Sequence, residues 1–294
     1  MQQRPSPPRR FAIGVHPELA TANTVARQIK HALLEQGAAE VFLAPLNNQE
    51  LRQLVSGGKF DALIAVGGDG TMLRAGHLCA PQGIPIMGIN VGHFGFLIEV
   101  QHNQWQSKLS DLLQGKYRVE NRMMLRAEHW HQNQKMGSWD VLNEVIACRG
   151  NFVRPVRLRA EVDGFLLANY VADGLIIATP TGSTAYALAA GGPIMPPDLR
   201  NILIIPVAPH LSIDRAVILP EGAQVSVHVR TNHEAVMSVD GHQPIIMQDG
   251  DEIRAATGPN VVSFIRFEDP GYFYCNLTKY MEKNPVTGDL DGKS

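Results

Sequence analysis

Residues 62–71 constrain the fold of this chain most. Ala62-Leu63-Ile64-Ala65-Val66 is apolar at five consecutive positions and runs directly into Gly67-Gly68-Asp69-Gly70-Thr71. An apolar run this short, closed by glycines, reads as a strand buried on both faces. Such strands belong to parallel sheets covered by helices. The neighbouring pattern repeats the theme. Strands are expected at Phe11–Val15, Glu40–Ala44 and Ile84–Ile89, with helices at Ala22–Gln36, Gln49–Val55, from Thr71, and at Trp105–Leu113. Residues 1–120 therefore read as a Rossmann-like parallel α/β domain.

The texture changes after about Asn121. Val156–Val162 and Val225–Arg230 alternate at period two, and Asp163-Gly164, Glu221-Gly222, Asp240-Gly241 and Asp249-Gly250 punctuate the chain. This pattern predicts an all-β, sandwich-like domain with one solvated face, interrupted by one helix near Ser183–Ala190.

Charge narrows the function. The 26 Lys and Arg residues against 28 Asp and Glu give a net charge of −2. No bulk field draws the chain to nucleic acid or an acidic membrane, so neither partner is expected. A phosphate site must be local, built from backbone amides and a few cations. Cys79, Cys148 and Cys275 form no CxxC pair and read as small buried hydrophobes in a reducing cytoplasm. None of the 11 histidines sits in an HExxH pattern, and His129 and His131 stand alone, so a zinc site is not expected. Met1–Arg10 reads as a disordered leader, and the tail after about Met281 as frayed. Asn276-Leu277-Thr278 matches a glycosylation sequon by chance.

Three motifs carry candidate chemistry. Gly67, Gly68 and Gly70, with Thr71, stand at the carboxyl end of a buried strand, where ligands of open parallel sheets bind. Glycines there admit close approach of phosphate oxygens, and the following helix offers unpaired N–H groups. Asp69 is out of place beside a phosphate unless it has chemistry to perform. It could take a proton from an attacking hydroxyl, or it could hold Mg²⁺. The alternative is a cap on the helix at Thr71. Arg74, one turn on, reads equally as a phosphate contact or a solvated cation. The second motif, Thr179-Pro180-Thr181-Gly182-Ser183-Thr184-Ala185-Tyr186, follows the apolar strand Leu175–Ala178. Its hydroxyls and glycine make a compact polar turn, and Tyr186 offers a flat face for a base; a capped helix is the bland alternative. Asp173, just before that strand, suits a ribose hydroxyl or a turn. The third motif, Asn143-Glu144, lies inside the strand-like Val141–Cys148 and needs partners if buried.

Taken together these residues resemble the NAD kinase family over about residues 11–280. Gly67–Thr71 is similar to a glycine signature shared with diacylglycerol, sphingosine and phosphofructokinase relatives; Asn143-Glu144 and Thr179–Tyr186 at this separation are more discriminating. Gly88–Leu97 also matches, with weaker echoes at Pro209–Ser212 and Asp240–Gln243. The resemblance implies an α/β domain over 1–120, a β-sandwich-like domain over 121–267, a segment from about 268 returning to the first, and a site between the domains. It implies transfer of a phosphoryl group from ATP, in some relatives also polyphosphate, to the adenosine 2′-hydroxyl of NAD, with Mg²⁺ on the donor. Asp69 would be the general base and Gly70 would line the NAD site. Asn143 and Glu144 would hold hydroxyls and the amine. Asp173, Thr184, Ala185 and Tyr186 would line the adenosine and nicotinamide ends, with Arg154 and Gln243 as further contacts. Ala189 stands where relatives often carry serine. A homodimer or homotetramer in the cytoplasm is implied. The competing readings are a diacylglycerol-type lipid kinase and a catalytically silent NADP(H)-binding sensor.

Overall fold

The structure is a computed structural model that describes residues 6–92, 95–151, 153–210 and 213–282. The first residues of the leader, the tail beyond 282, and His93, Phe94, Leu211 and Ser212 of the matched segments lie outside the described residues. The chain divides into two compact units, one of residues 1–121 and 262–294, the other of residues 122–261.

The first unit contains β1 (Arg10–Val15), α1 (Ala20–Glu35), β2 (Glu40–Pro45), α2 (Gln49–Ser56), β3 (Ala62–Gly67), α3 (Asp69–Cys79), β4 (Ile86–Asn90), β5 (Val100–Gln101) and α4 (Trp105–Leu113). The strands are parallel in the order β5-β4-β3-β1-β2, with Phe11 beside Ala62 and Leu63 beside Ile86. All six residues of β3 are buried. Ala22, Ala26, Ile29 and Leu33 repeat at helical spacing, so α1 lays one apolar stripe on Phe11, Ile13, Val15, Ile64 and Val66. Trp105, Leu109 and Leu112 of α4 join the same core. Asn48 caps α2 by accepting from the Leu51 N–H at 2.9 Å. The leader is anchored earlier than its proline-rich sequence predicts: Arg10 opens β1 and pairs with Asp61 at 2.7 Å.

The second unit holds β6 (Arg118–His131, entered from the first), β7 (Gln134–Val141), β8 (Glu144–Arg149), β9 (Val156–Val162), β10 (Phe165–Ala172), β11 (Gly174–Ala178), α5 (Tyr186–Ala189), β12 (Asn201–Val207), β13 (Val217–Pro220), β14 (Val225–Arg230), β15 (Ala235–Val239), β16 (Ile245–Met247) and most of β17 (Glu252–Arg266). One antiparallel array runs β10-β9-β14-β17, with β6 beside β17 and β7 beside β6; another runs β13-β12-β11-β8-β15-β16. Inward residues of both, such as Leu158, Val227, Ile177 and Met237, share one core.

The expectation of one solvated face fails for β11 and β12. Ile176, Ala178, Leu203 and Ile205 point away from the shared core yet are buried against Ala187 and Met195. The segment between these strands folds back over them, so β11 is buried on both sides. The helix expected at Ser183–Ala190 is a 3₁₀ turn at Thr181–Thr184 followed by the four-residue α5. The return to the first unit begins at Val262, inside β17, and continues to α6 (Tyr272–Glu282). Asn276 is buried in α6 and donates to Tyr272 O at 2.9 Å, which fits a sequon of no consequence. Of the cysteines, Cys79 is buried as expected, but Cys275 is exposed. Among the described residues no helix is long and apolar enough to cross a membrane.

Candidate functional site

Candidate residues occur in both units, and the phosphate loop belongs to the first. Strand β3 delivers Gly67, where an added Cβ would stand 2.2 Å from Oγ1 of Thr71; only glycine lets that threonine pack there. Gly68 is the N-cap of α3 and carries no side-chain cap, while a Cβ at Gly68 or Gly70 would meet open space. The first N–H groups of an α-helix lack intrahelical acceptors, so this terminus suits an anion. The Oγ1 of Thr71 is buried without a hydrogen-bond partner. Arg74 is exposed one turn along α3.

The carboxylate of Asp69 is held by a distant segment. Its Oδ2 accepts from the Phe96 N–H at 2.7 Å and its Oδ1 from the Leu97 N–H at 3.1 Å. Two backbone donors orient the carboxylate. Gly95 makes the arrangement possible, because a Cβ there would lie 2.3 Å from Oδ2 of Asp69. Leu97 is held in turn: its carbonyl accepts from Arg266 Nη1 at 2.9 Å, and the buried Arg266 pairs with Glu120 at 3.0 Å. The sequence reading missed the roles of Gly95 and Arg266. Gly95 follows 26 residues after Asp69 and Arg266 nearly two hundred, and neither separation carries a local signal.

The second unit assembles the other motifs. Val141–Cys148 is not one strand: β7 ends at Val141, Leu142 and Asn143 make the turn, and Glu144 is the first residue of β8. The Oγ1 of Thr179 donates to Leu142 O at 2.5 Å, and the Thr179 N–H donates to Asn143 O at 2.9 Å. A Cβ at Gly182 would come within 2.1 Å of Asn143 O, which explains a glycine in the polar turn. On the other side Asp240 accepts from the N–H groups of Leu142, Asn143 and Glu144. Glu144 is 8 % exposed, and its Oε2 is buried without a hydrogen-bond partner. Burial first, and then the negative charge of Asp240, push its carboxyl up to about 8 against the opposing pull of the Tyr186 N–H. At neutral pH that side chain is mostly a neutral acid.

The remaining candidates differ in what their side chains have free. Tyr186 is 45 % exposed and offers its ring; Ala185 is half-buried, and Ala189 is exposed at the end of α5. Thr181 accepts from Arg122 Nη1 at 3.2 Å, and Thr184 donates to Thr181 O at 3.1 Å. Ser183 is fully buried, donating to Pro180 O and accepting from the Met195 N–H at 2.9 Å. Its hydroxyl therefore ties the turn down. Asp173 pairs with Arg149 at 3.2 Å. Arg154 and Gln243 are exposed.

His129 and His131 do not stand alone. Both reach the carboxylate of Asp251, at 2.8 and 2.6 Å. Asp251 is 1 % exposed; burial pushes its carboxyl up, but the Gln248 N–H and the two imidazoles outweigh this and hold it below its ordinary range. Among the described residues no group of three or more His, Cys, Asp or Glu is arranged to hold a metal ion.

Comparison with known proteins adds the family. Residues 12–117 match the ATP-NAD kinase N-terminal domain and residues 142–267 the ATP-NAD kinase C-terminal domain. An NAD kinase of Chloroflexus aurantiacus is 34 % identical over 94 % of this chain and 99 % of its own length. Among solved structures, an NAD kinase from Archaeoglobus fulgidus in complex with ATP is 25 % identical, with a TM-score of 0.74 over 92 % of this chain and 98 % of that one. Yeast NADH kinase complexed with NADH shares the fold at a TM-score of 0.79 and 23 % identity, over 95 % of this chain and 89 % of that one.

Proposed function

The chain belongs to the ATP-NAD kinase family, and on that premise we propose that Asp69 is the base in transfer of the γ-phosphoryl group of ATP to the adenosine 2′-hydroxyl of NAD. The 2′-oxygen forms its bond to the γ-phosphorus as the bond from that phosphorus to the β–γ bridging oxygen breaks. The 2′-proton passes to a carboxylate oxygen of Asp69, and ADP leaves. Catalysis of this kind rests on positioning and charge stabilisation. The observation that carries the reading is the immobilised carboxylate: the Phe96 and Leu97 N–H groups hold Asp69 at the start of α3.

Gly67, Gly68, Gly70 and Thr71 supply the anion-binding turn, with Arg74 as an outer cation. Asn143 and Glu144 hold the hydroxyls and amine of the nucleotide. A neutral Glu144 with one unsatisfied buried oxygen is suited to exchange hydrogen bonds with an uncharged group. Asp173, Thr184, Ala185 and Tyr186 line the dinucleotide, with Arg154 and Gln243 at its edge. Thr181, Gly182 and Ser183 shape the turn. Mg²⁺ enters as part of the substrate, complexed to the triphosphate. Edge strands β10 and β16 expose Phe165, Leu166 and Ile246, which supports a homodimer or homotetramer. Lipid-kinase and silent-sensor readings have no support in the family matches.

The test is direct. Pure protein is incubated with NAD, ATP and Mg²⁺, and NADP is followed by a coupled NADP-dependent dehydrogenase. NADP formation is expected; none at saturating substrates would remove the reading. Replacing ATP by polyphosphate in the same assay fixes the donor.

A further inference from the structure

We propose that Asp240 is a positioning residue for the dinucleotide: it acts through the backbone at Asn143–Glu144, which it holds in the one conformation that presents both side chains to NAD. The proposal rests on the kinase reading above. It starts from an arrangement that electrostatics alone disfavours, a carboxylate lodged beside another buried acid. Asp240 is 7 % exposed and follows β15 with a φ of +48°. Its Oδ2 accepts from the Leu142 N–H at 2.7 Å, and its Oδ1 from Asn143 at 2.8 Å and Glu144 at 2.9 Å. The Asp240 N–H donates back to Glu144 O at 2.9 Å.

Three consecutive N–H groups converging on one carboxylate form an anion-binding concavity, here filled by a side chain of the same chain. Hydrogen bonds to an ionised acceptor are stronger than neutral ones, so the turn is fixed more firmly than a β-connection needs. Thr179 and Gly182 close the opposite side, and the Asn143–Glu144 backbone has no room to shift. The groups facing the Glu144 carboxyl are Asp240 from the end of β15 and the Tyr186 N–H from the start of α5. The fixed charge of Asp240 helps keep Glu144 neutral and its unpartnered oxygen available. A residue serving only the fold would gain nothing from this crowding, because an uncharged acceptor would brace the turn without opposing Glu144.

The variant D240N isolates the effect, since asparagine tolerates a left-handed backbone as aspartate does. It keeps one acceptor oxygen and sets an NH₂ group against an N–H. KM for NAD is expected to rise about ten- to a hundredfold, the scale of losing charge-assisted hydrogen bonds that act through substrate binding. KM for ATP and kcat are expected to move much less. Should D240N fail to fold, T179V loosens the same turn from its other side by removing the hydroxyl that donates to Leu142 O, and should raise KM for NAD in the same selective way. A lowered kcat with KM for NAD unchanged, in whichever variant folds, overturns the proposal and leaves Asp240 a brace for the fold. Wild-type protein assayed alongside separates the two claims: if it makes no NADP the kinase reading fails, whereas an active wild type with an unselective variant sinks only the role of Asp240.

Discussion

Replacing Glu144 by Gln should flatten the dependence of stability on pH. The carboxyl lies near 8 in the folded chain against an ordinary value of 4.5, because burial and the Asp240 charge disfavour its ionised form. A group whose proton affinity is raised by folding stabilises the fold fully below the unfolded value. That contribution is lost as pH rises through the folded value. At about 1.4 kcal/mol per tenfold change in proton affinity, the interval from 4.5 to about 8 sets a ceiling of roughly 5 kcal/mol. Between pH 5 and pH 7 the wild type should lose about 2–3 kcal/mol that the E144Q chain, with nothing to ionise there, retains. Urea unfolding at pH 5, 6, 7 and 8 measures this, followed by Trp130 and Trp139 of the second unit. The informative quantity is the stability of E144Q minus that of wild type, since every other titrating group cancels. A difference flat to within about 0.5 kcal/mol across pH 5–7 would refute the reasoning and show that Glu144 ionises as it does in water.

Two further perturbations follow from the same geometry. Gly95→Ala puts a methyl group where the Asp69 carboxylate lies, so the carboxylate must leave its amides; kcat should fall at least about tenfold while NAD binding, measured by calorimetry, stays close to wild type. Asp251→Ala strands the buried His129, the half-buried His131 and the Gln248 N–H, and should cost about 3–5 kcal/mol in denaturant unfolding at pH 7. Because the carboxyl of Asp251 is held below its ordinary value, the stability it adds is present above that value and disappears as pH falls through the lower, folded one.

Local pattern revealed the parallel strands, because five apolar residues before a glycine run leave little else to build. It also located the glycine loop and the Thr179–Tyr186 turn, whose residue types announce sharp backbone and spare hydroxyls. It did not reveal the break at Leu142-Asn143, since Val141–Cys148 keeps a strand's apolar texture while two strands meet inside it. The second covered face of β11 was hidden for a similar reason: burial on both sides comes from Ala187 and Met195, folded back from later in the chain. The least legible features are the supports. Asp69 meets Phe96 and Leu97 across 27 and 28 residues, and Asp240 meets Glu144 across 96. No periodicity encodes such contacts, and an acid in an Asp-Gly turn looks the same whether it caps a turn or braces a binding site. The return to the first unit, at Val262, has no local signature because β17 continues through the boundary without a change of pattern.

Turnover of the variant Asp69→Asn bears most directly on the chemistry. With NAD and the magnesium complex of ATP saturating, kcat for NADP formation should fall by roughly 10²–10⁴, the usual loss for a missing general base, while the dissociation constant for NAD holds. A variant that turns over at close to the wild-type rate would contradict the account, because proton removal from the ribose would then have to belong to some other group.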